Sequence, residues 1–217
     1  MKLKLFLAVS LIIILLTACN NSSKSPMTFC DTACLRDTIK FALDHPYKPH
    51  VYISASDCIA DTVIWSHSGM DNNLKMDFNE VAASGLRLNK NYIGCYFNDT
   101  SYAWLEFNDC LTGRGYLVKL NFDRKAGRLK YSSALTRFDP KFKIEDGLIC
   151  YADYSFVYVQ DIKTGKIAKL LLADHELKID YNNIHAVFDS ANITRNRIFV
   201  KLIENGSEKP LEKTISL

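Results

Sequence analysis

The chain is predicted to be mainly β, a β-rich α+β fold built as an antiparallel meander of hairpins. It is propeller-like or a sandwich, with one short N-terminal helix and a second short helix near residues 181–190. Three observations lead there. Beyond Val51, β-branched and aromatic residues recur in short runs separated by turn-forming clusters such as Ser68-Gly69 and Asn98-Asp99. Two turns repeat one pattern, Asp-x-x-Thr-Gly-basic, at Asp109 to Arg114 and at Asp161 to Lys166. Helical spacing is confined to two short stretches, one before the strands and one between the last hairpins.

The first eighteen residues stand apart from the fold. Lys2 and Lys4 precede an apolar run from Leu5 to Leu16 and the small pair Thr17-Ala18. A helix needs roughly 20 apolar residues to cross a hydrocarbon core ~30 Å thick, so this stretch reads as a secretory signal and not as a span. Residues 1–18 are thus expected to be removed, residues 19–28 to form a lipidated tether, and residues 29–217 to form a single β-rich periplasmic domain. The polar segment from Asn20 to Thr28 carries Pro26 and shows no apolar period; a flexible stretch of that length reaches about 15–18 Å.

Asp31 to Leu43 is the best helix candidate. Asp31 can cap it, Leu35, Ile39 and Leu43 recur every fourth residue, and Pro46 stops it. Strands are expected at Val51–Ile53, Thr62–Trp65, Tyr92–Phe97, Tyr102–Phe107, Tyr116–Phe122, Lys141–Ile144, Leu148–Tyr151, Phe156–Ile162 and Ile167–Leu172. A last hairpin turns at Asn205-Gly206. In the repeated turns the aspartate can accept backbone N–H groups and glycine can take a positive φ. A hairpin over residues 93 to 106, turning at Asn98 to Ser101, would set Phe97 opposite Tyr102 and Cys95 opposite Trp104. In the second helical stretch, Ile184, Val187, Phe188 and Ala191 share helical spacing.

The residues Leu16-Thr17-Ala18-Cys19 resemble the lipobox of bacterial lipoproteins. The resemblance covers residues 1–19 and implies diacylglycerol on the Cys19 sulfur, cleavage before Cys19 and acylation of the new amino group. Two or three acyl chains hold a protein stably where one does not. Asn20 stands where an aspartate would resemble an inner-membrane retention signal, so the implied address is the outer membrane, facing the periplasm. Residues 88–172, with their two Asp-x-x-Thr-Gly-basic turns, resemble the blades of quinoprotein-type β-propellers. No residue matches the cofactor-binding positions of quinoproteins, and no cofactor is expected.

Charge and cysteine content narrow the function. The formal charge of +3 includes Lys2 and Lys4, so the mature chain is close to neutral and offers no basic face for nucleic acid. Of seven cysteines, assigning Cys19 to lipid leaves Cys30, Cys34, Cys58, Cys95, Cys110 and Cys150, an even set that an exported protein can pair as disulfides. Cys30 and Cys34 are not spaced as a Cys-x-x-Cys redox pair. The sequence holds no Gly-x-Ser-x-Gly, no His-Glu-x-x-His and no phosphate loop. The histidines show no metal spacing, Asp174-His175-Glu176 with Asp180 and His185 reads as a solvated loop, and Trp65-Ser66-His67-Ser68 reads as a strand-end turn. No catalytic or metal residue is therefore assigned. Trp65, Trp104, Tyr92, Tyr96 and Tyr102 are the candidates for an aromatic surface that stacks on sugar rings. The expected function is a binding or interaction module, with an envelope protein or a glycan as partner and the membrane engaged through the lipid. The alternatives are an enzyme acting on glycans or peptidoglycan and an accessory structural subunit of an envelope complex.

Overall fold

The structure is a computed structural model, and the residues it describes are 35–82, 85–131, 133–172, 184–204 and 206–217. They form four four-stranded sheets. The first runs in chain order through β1 (Ile39–Ala42), β2 (His50–Ser56), β3 (Ile59–Ser66) and β4 (Leu74–Asp77), closed by a 3-10 turn at Phe78–Glu80. The second holds β5 (Ile93–Asn98), β6 (Tyr102–Asn108), β7 (Gly115–Asn121) and β8 (Leu129–Tyr131). β9 (Ala134–Leu135) opens the third, and β10 (Phe142–Ile144) leaves it for the fourth. β11 (Leu148–Ala152), β12 (Phe156–Asp161) and β13 (Ile167–Leu171) then complete the third in the order β9-β11-β12-β13. After the one-turn helix α1 (Ile184–Val187), β14 (Phe188–Thr194), β15 (Arg197–Glu204) and β16 (Ser207–Thr214) follow. Every strand pairing is antiparallel except that of β10, which lies parallel to β14.

Consecutive sheets pack face to face. Val51, Ile53, Val63 and Trp65 of the first sheet share a core with Leu105, Phe107, Val118 and Leu120 of the second. Trp104 and Leu117, on the opposite face of the second sheet, meet Ala134, Ile149 and Tyr151 of the third. Leu148, Cys150, Val157 and Val159 then turn to Ile193, Ile198, Val200 and Leu202 of the fourth. The second and third sheets are therefore covered on both faces, and their middle strands lose the polar alternation of a half-exposed strand. All residues of β6 from Ala103 to Asn108 are buried. The first two sheets are thus local meanders, while the last two are linked by β10, which leaves the third stretch of chain to join the fourth sheet.

One predicted helix gives way to a strand, and the other is present as a single turn. Ile39–Ala42 is β1, paired with β2 through Ile39 and Ile53, so the helix expected over residues 31–43 is wrong where it is described; residues 31–34 lie outside the described set. The misleading signal was the spacing of four. An even spacing also keeps residues on one face of a strand, and Ile39 and Phe41 are half-buried while Lys40 and Ala42 are exposed. Near residues 181–190 the helix is the single turn α1, and from Phe188 the chain is β14. A register shift between Phe188 and Ser190 leaves Asp189 as the extra residue. That bulge brings Phe188, Ala191 and Ile193 to one face, opposite Leu202, Val200 and Ile198. The helical spacing thus runs past the one helical turn into a bulged strand.

The β5–β6 hairpin is also offset from its expected register by one residue. Its loop is Asp99–Ser101, with Asp99 at φ 43°, so Phe97 faces Ala103 and Cys95 faces Leu105, while Tyr96 faces Trp104. A one-residue slip moves every side chain to the other face. Here it places Cys95 and Phe97 against the core shared with the first sheet.

Candidate functional site

The repeated turns are built alike. Asp109 Oδ2 accepts the backbone N–H of Thr112 at 3.0 Å, its carbonyl accepts Gly113 N–H at 2.8 Å, and Gly113 holds φ 71°. In the second turn Asp161 Oδ1 accepts Thr164 N–H at 2.7 Å, its carbonyl accepts Gly165 N–H at 2.9 Å, and Gly165 holds φ 72°. A β-carbon at either glycine would be strained in this left-handed region. The Thr164 amide, foremost among several causes, holds the Asp161 carboxyl below its ordinary range. Its second oxygen lies 3.3 Å from Arg195 Nε, and Arg195 is also fastened to Glu145 through its guanidinium and its backbone N–H.

A cleft of about 490 Å³ opens beside this ion cluster. All four sheets contribute to it: Leu43 beyond β1, Tyr96 and Phe97 of β5 with Asp99 of its turn, Lys163 between β12 and β13, and Arg195 between β14 and β15. Asn98 Nδ2 donates to the carbonyl of Ile162 at 2.7 Å, and Tyr102 Oη donates to the same oxygen at 3.0 Å. The turns of the second and third sheets are thereby pinned to each other.

Behind Tyr96 lies a buried acid. The Glu106 side chain, on β6, is 1% exposed, and its Oε2 stands 3.4 Å from Arg137 Nε without the alignment of a hydrogen bond. Arg137 donates to the carbonyl of Leu148 at 2.7 Å, pairs with Asp146 at 3.0 Å and lies 4.6 Å over the Tyr96 ring. Burial pushes the Glu106 carboxyl up, while the Arg137 charge and a hydrogen bond from Tyr96 pull it back down. Burial, reinforced by Glu106, likewise raises the Tyr96 phenol.

A second cleft, of about 620 Å³, lies on the first sheet and shares Leu43 with the first cleft. His45, His50 and His67 line it together with Lys40, Lys48 and Asp44. Among the described residues no three His, Cys, Asp or Glu side chains are grouped to hold a metal ion. None of the described helices is long and apolar enough to cross a membrane.

The structure scatters the aromatic surface expected from the sequence. Trp65 and Trp104 are each 1% exposed and cannot stack on a ligand. Trp65 donates Nε1–H to the carbonyl of Asn121 at 2.8 Å in the first core, and Trp104 fills the core between the second and third sheets. Both are large apolar bodies at the centre of a two-sheet interface, where their area stabilises most. Tyr92, Tyr96 and Tyr102 are half-buried, and Tyr96 alone of the five lines the four-sheet cleft. A ladder the sequence did not suggest runs instead through Tyr131, Tyr151 and Tyr158, with ring centroids 3.9 and 4.9 Å apart. Its members lie on three strands of two sheets, so only the cross-sheet contact reveals it.

The cysteines divide. Cys58 and Cys110 each take part in a disulfide. Cys95 and Cys150, expected to be paired, are free thiols. They serve different cores, Cys95 between the first and second sheets and Cys150 between the third and fourth. Burial raises both thiols and leaves them little thiolate for exchange. Cys19, Cys30, Cys34 and the polar residues Asp174, His175, Glu176 and Asp180 lie outside the described residues.

Two signals in the sequence could have located the four-sheet cleft. Glu106 is an acid within the otherwise apolar run Ala103 to Phe107, which marks a buried polar site. The repeated Asp161 turn marks where Arg195 docks. No protein-family model matches the chain, and no curated protein matches it.

Proposed function

We propose that the chain is an outer-membrane lipoprotein, held by lipid on Cys19 and facing the periplasm, whose β-rich body is a binding or interaction module. The observation that carries the binding reading is the four-sheet cleft. Its wall combines the Tyr96 and Phe97 rings with the cations Lys163 and Arg195, and its supports are turns locked to each other. An apolar floor with a few fixed polar groups is the usual composition of a ligand pocket. Among the described residues its lining carries one carboxylate, Asp99, whereas glycoside hydrolysis ordinarily takes two, ~5 to 10 Å apart. An envelope protein or a glycan is the expected partner.

The anchor and the cleft are tested separately. Cys19→Ala should abolish palmitate labelling and block processing before residue 19, and labelling that persists would remove the lipoprotein reading. For the cleft, a photo-crosslinking residue placed at Phe97 or Lys163 in the intact cell should give a discrete adduct that the same residue at the remote, exposed Tyr154 does not. Equal adducts from all three positions would count against a specific site. Release of sugar fragments from peptidoglycan by the purified chain, lost in Asp99→Asn, would favour the enzyme instead.

A further inference from the structure

The cleft on the first sheet has a defined pattern of hydrogen-bond donors. His45 Nδ1 accepts the backbone N–H of Tyr47 at 3.2 Å, and His67 Nδ1 accepts that of Gly69 at 3.0 Å. Each neutral ring must therefore carry its proton on Nε2. His50 is set the other way: its Nδ1 lies 3.2 Å from the carbonyl oxygen of Lys48, so that nitrogen is the donor and Nε2 keeps a lone pair.

Packing holds the three rings in place. Tyr47 lies 5.7 Å from the His45 ring and 6.0 Å from that of His67, Phe122 lies 5.4 Å from His67, and Tyr52 lies 4.6 Å from His50. Lys48, whose carbonyl sets the His50 tautomer, holds φ 47°. A β-carbon disfavours that conformation, and such strain concentrates at functional sites.

Among the described residues, the charged groups lining the cleft beside the histidines come from β1 and from the β1–β2 connection: Lys40 and Lys48, with Asp44 as the carboxylate. From the β7–β8 side the group packed on His67 is the uncharged Phe122. Two Nε2–H donors and two ammonium groups facing one carboxylate make a recognition set for an anion. Burial, then the nearness of His45 and His50, lowers the basicity of His67, which favours its neutral form with the proton on Nε2.

We propose that this cleft binds an anionic group of the phosphate, sulfate or carboxylate type, held by the Nε2–H donors of His45 and His67 and the ammonium groups of Lys40 and Lys48. The proposal is independent of what occupies the four-sheet cleft.

The test is calorimetric titration of the full chain, in a neutral detergent, with sodium sulfate at about pH 8. His45→Ala and His67→Ala should each weaken sulfate binding about fivefold, the loss of one charge-assisted hydrogen bond. Nitrogen-15 NMR of the unaltered chain at about pH 8 should show His50 protonated on Nδ1 and the other two on Nε2. The proposal falls if sulfate does not bind, if both histidine variants bind it unchanged, or if the NMR tautomers are reversed. Adding phosphatidylglycerol to the micelles separates two sources of the anion. Competition with sulfate assigns the site to a lipid headgroup, and its absence assigns it to a soluble anion.

Discussion

Replacing Arg137 with methionine is expected to destabilise the protein by about 3 to 5 kcal/mol at neutral pH, because it leaves a buried carboxylate without its counter-charge. Arg137 is the cation beside Glu106, and it also bonds the carbonyl of Leu148 across the junction of the second and third sheets. The loss should depend on pH in a stated direction. Glu106 holds its proton more tightly in the folded chain than when unfolded, so its contribution to stability declines as pH rises through the interval between the two values. Arg137 opposes that shift by stabilising the charged form. Without it the deficit should be greatest where Glu106 is ionised in the wild type and should shrink as acid protonates the carboxyl. Urea unfolding at about pH 7.5 and about pH 5 measures both deficits; equal values would mean that Arg137 acts through packing alone. The double variant Glu106→Gln, Arg137→Met should regain part of the loss, which a double-mutant cycle isolates.

Gly115→Ala is expected to cost about 3 kcal/mol or more, at the upper end for overpacking. A β-carbon at Gly115 would stand 2.1 Å from the carbonyl oxygen of Ala134 and 2.9 Å from Thr136 Cγ2. Neither neighbour can retreat freely. Ala134 belongs to β9, paired through Tyr151 to the third sheet, and Thr136 Oγ1 donates to Asn108, whose Nδ2 in turn donates to the carbonyl of Gly113 at 2.8 Å. The methyl group would have to push the second and third sheets apart. Gly127→Ala is the matched control, since a β-carbon there meets nothing within 4 Å. A thermal or urea midpoint for Gly115→Ala within error of the control would show that β7 and β9 do not approach as closely as described.

The strands were legible wherever a run of branched and aromatic residues ended at a turn cluster. Tyr102 to Phe107 and Ile198 to Ile203 lie on strands, as does the run from Phe156 up to Asp161, with Ile162 already in the turn, and both Asp-x-x-Thr-Gly-basic turns take the conformation their chemistry requires. Short edge strands were not legible. β4, β8 and β9 span 4, 3 and 2 residues, too few to show an alternation. The first helical stretch misled because a spacing of four is compatible with a strand; the second is helical over one turn, and the bulge at Asp189 carried its spacing on into β14. The clefts were hidden because their walls come from distant turns. Nothing local links Leu43 to Arg195, or His45 and His50 to His67, and the tautomers of those histidines depend on backbone groups that composition cannot reveal. Glu106 was visible, but its partner Arg137 lies outside any strand and is joined to it only through the packing of two sheets.

β10 is contributed from within the third sheet's stretch of chain yet pairs with β14 of the fourth, Phe142 beside Ala191 and Ile144 beside Ile193. The last two sheets are therefore interlaced. Removing everything after Leu172 would not simply delete a terminal unit but would strip β10 of its neighbour. Hydrogen exchange should accordingly find the amides of β11, β12, β14 and β15 opening together, as one cooperative block, and a nick after Leu172 should leave two pieces that stay joined until both unfold.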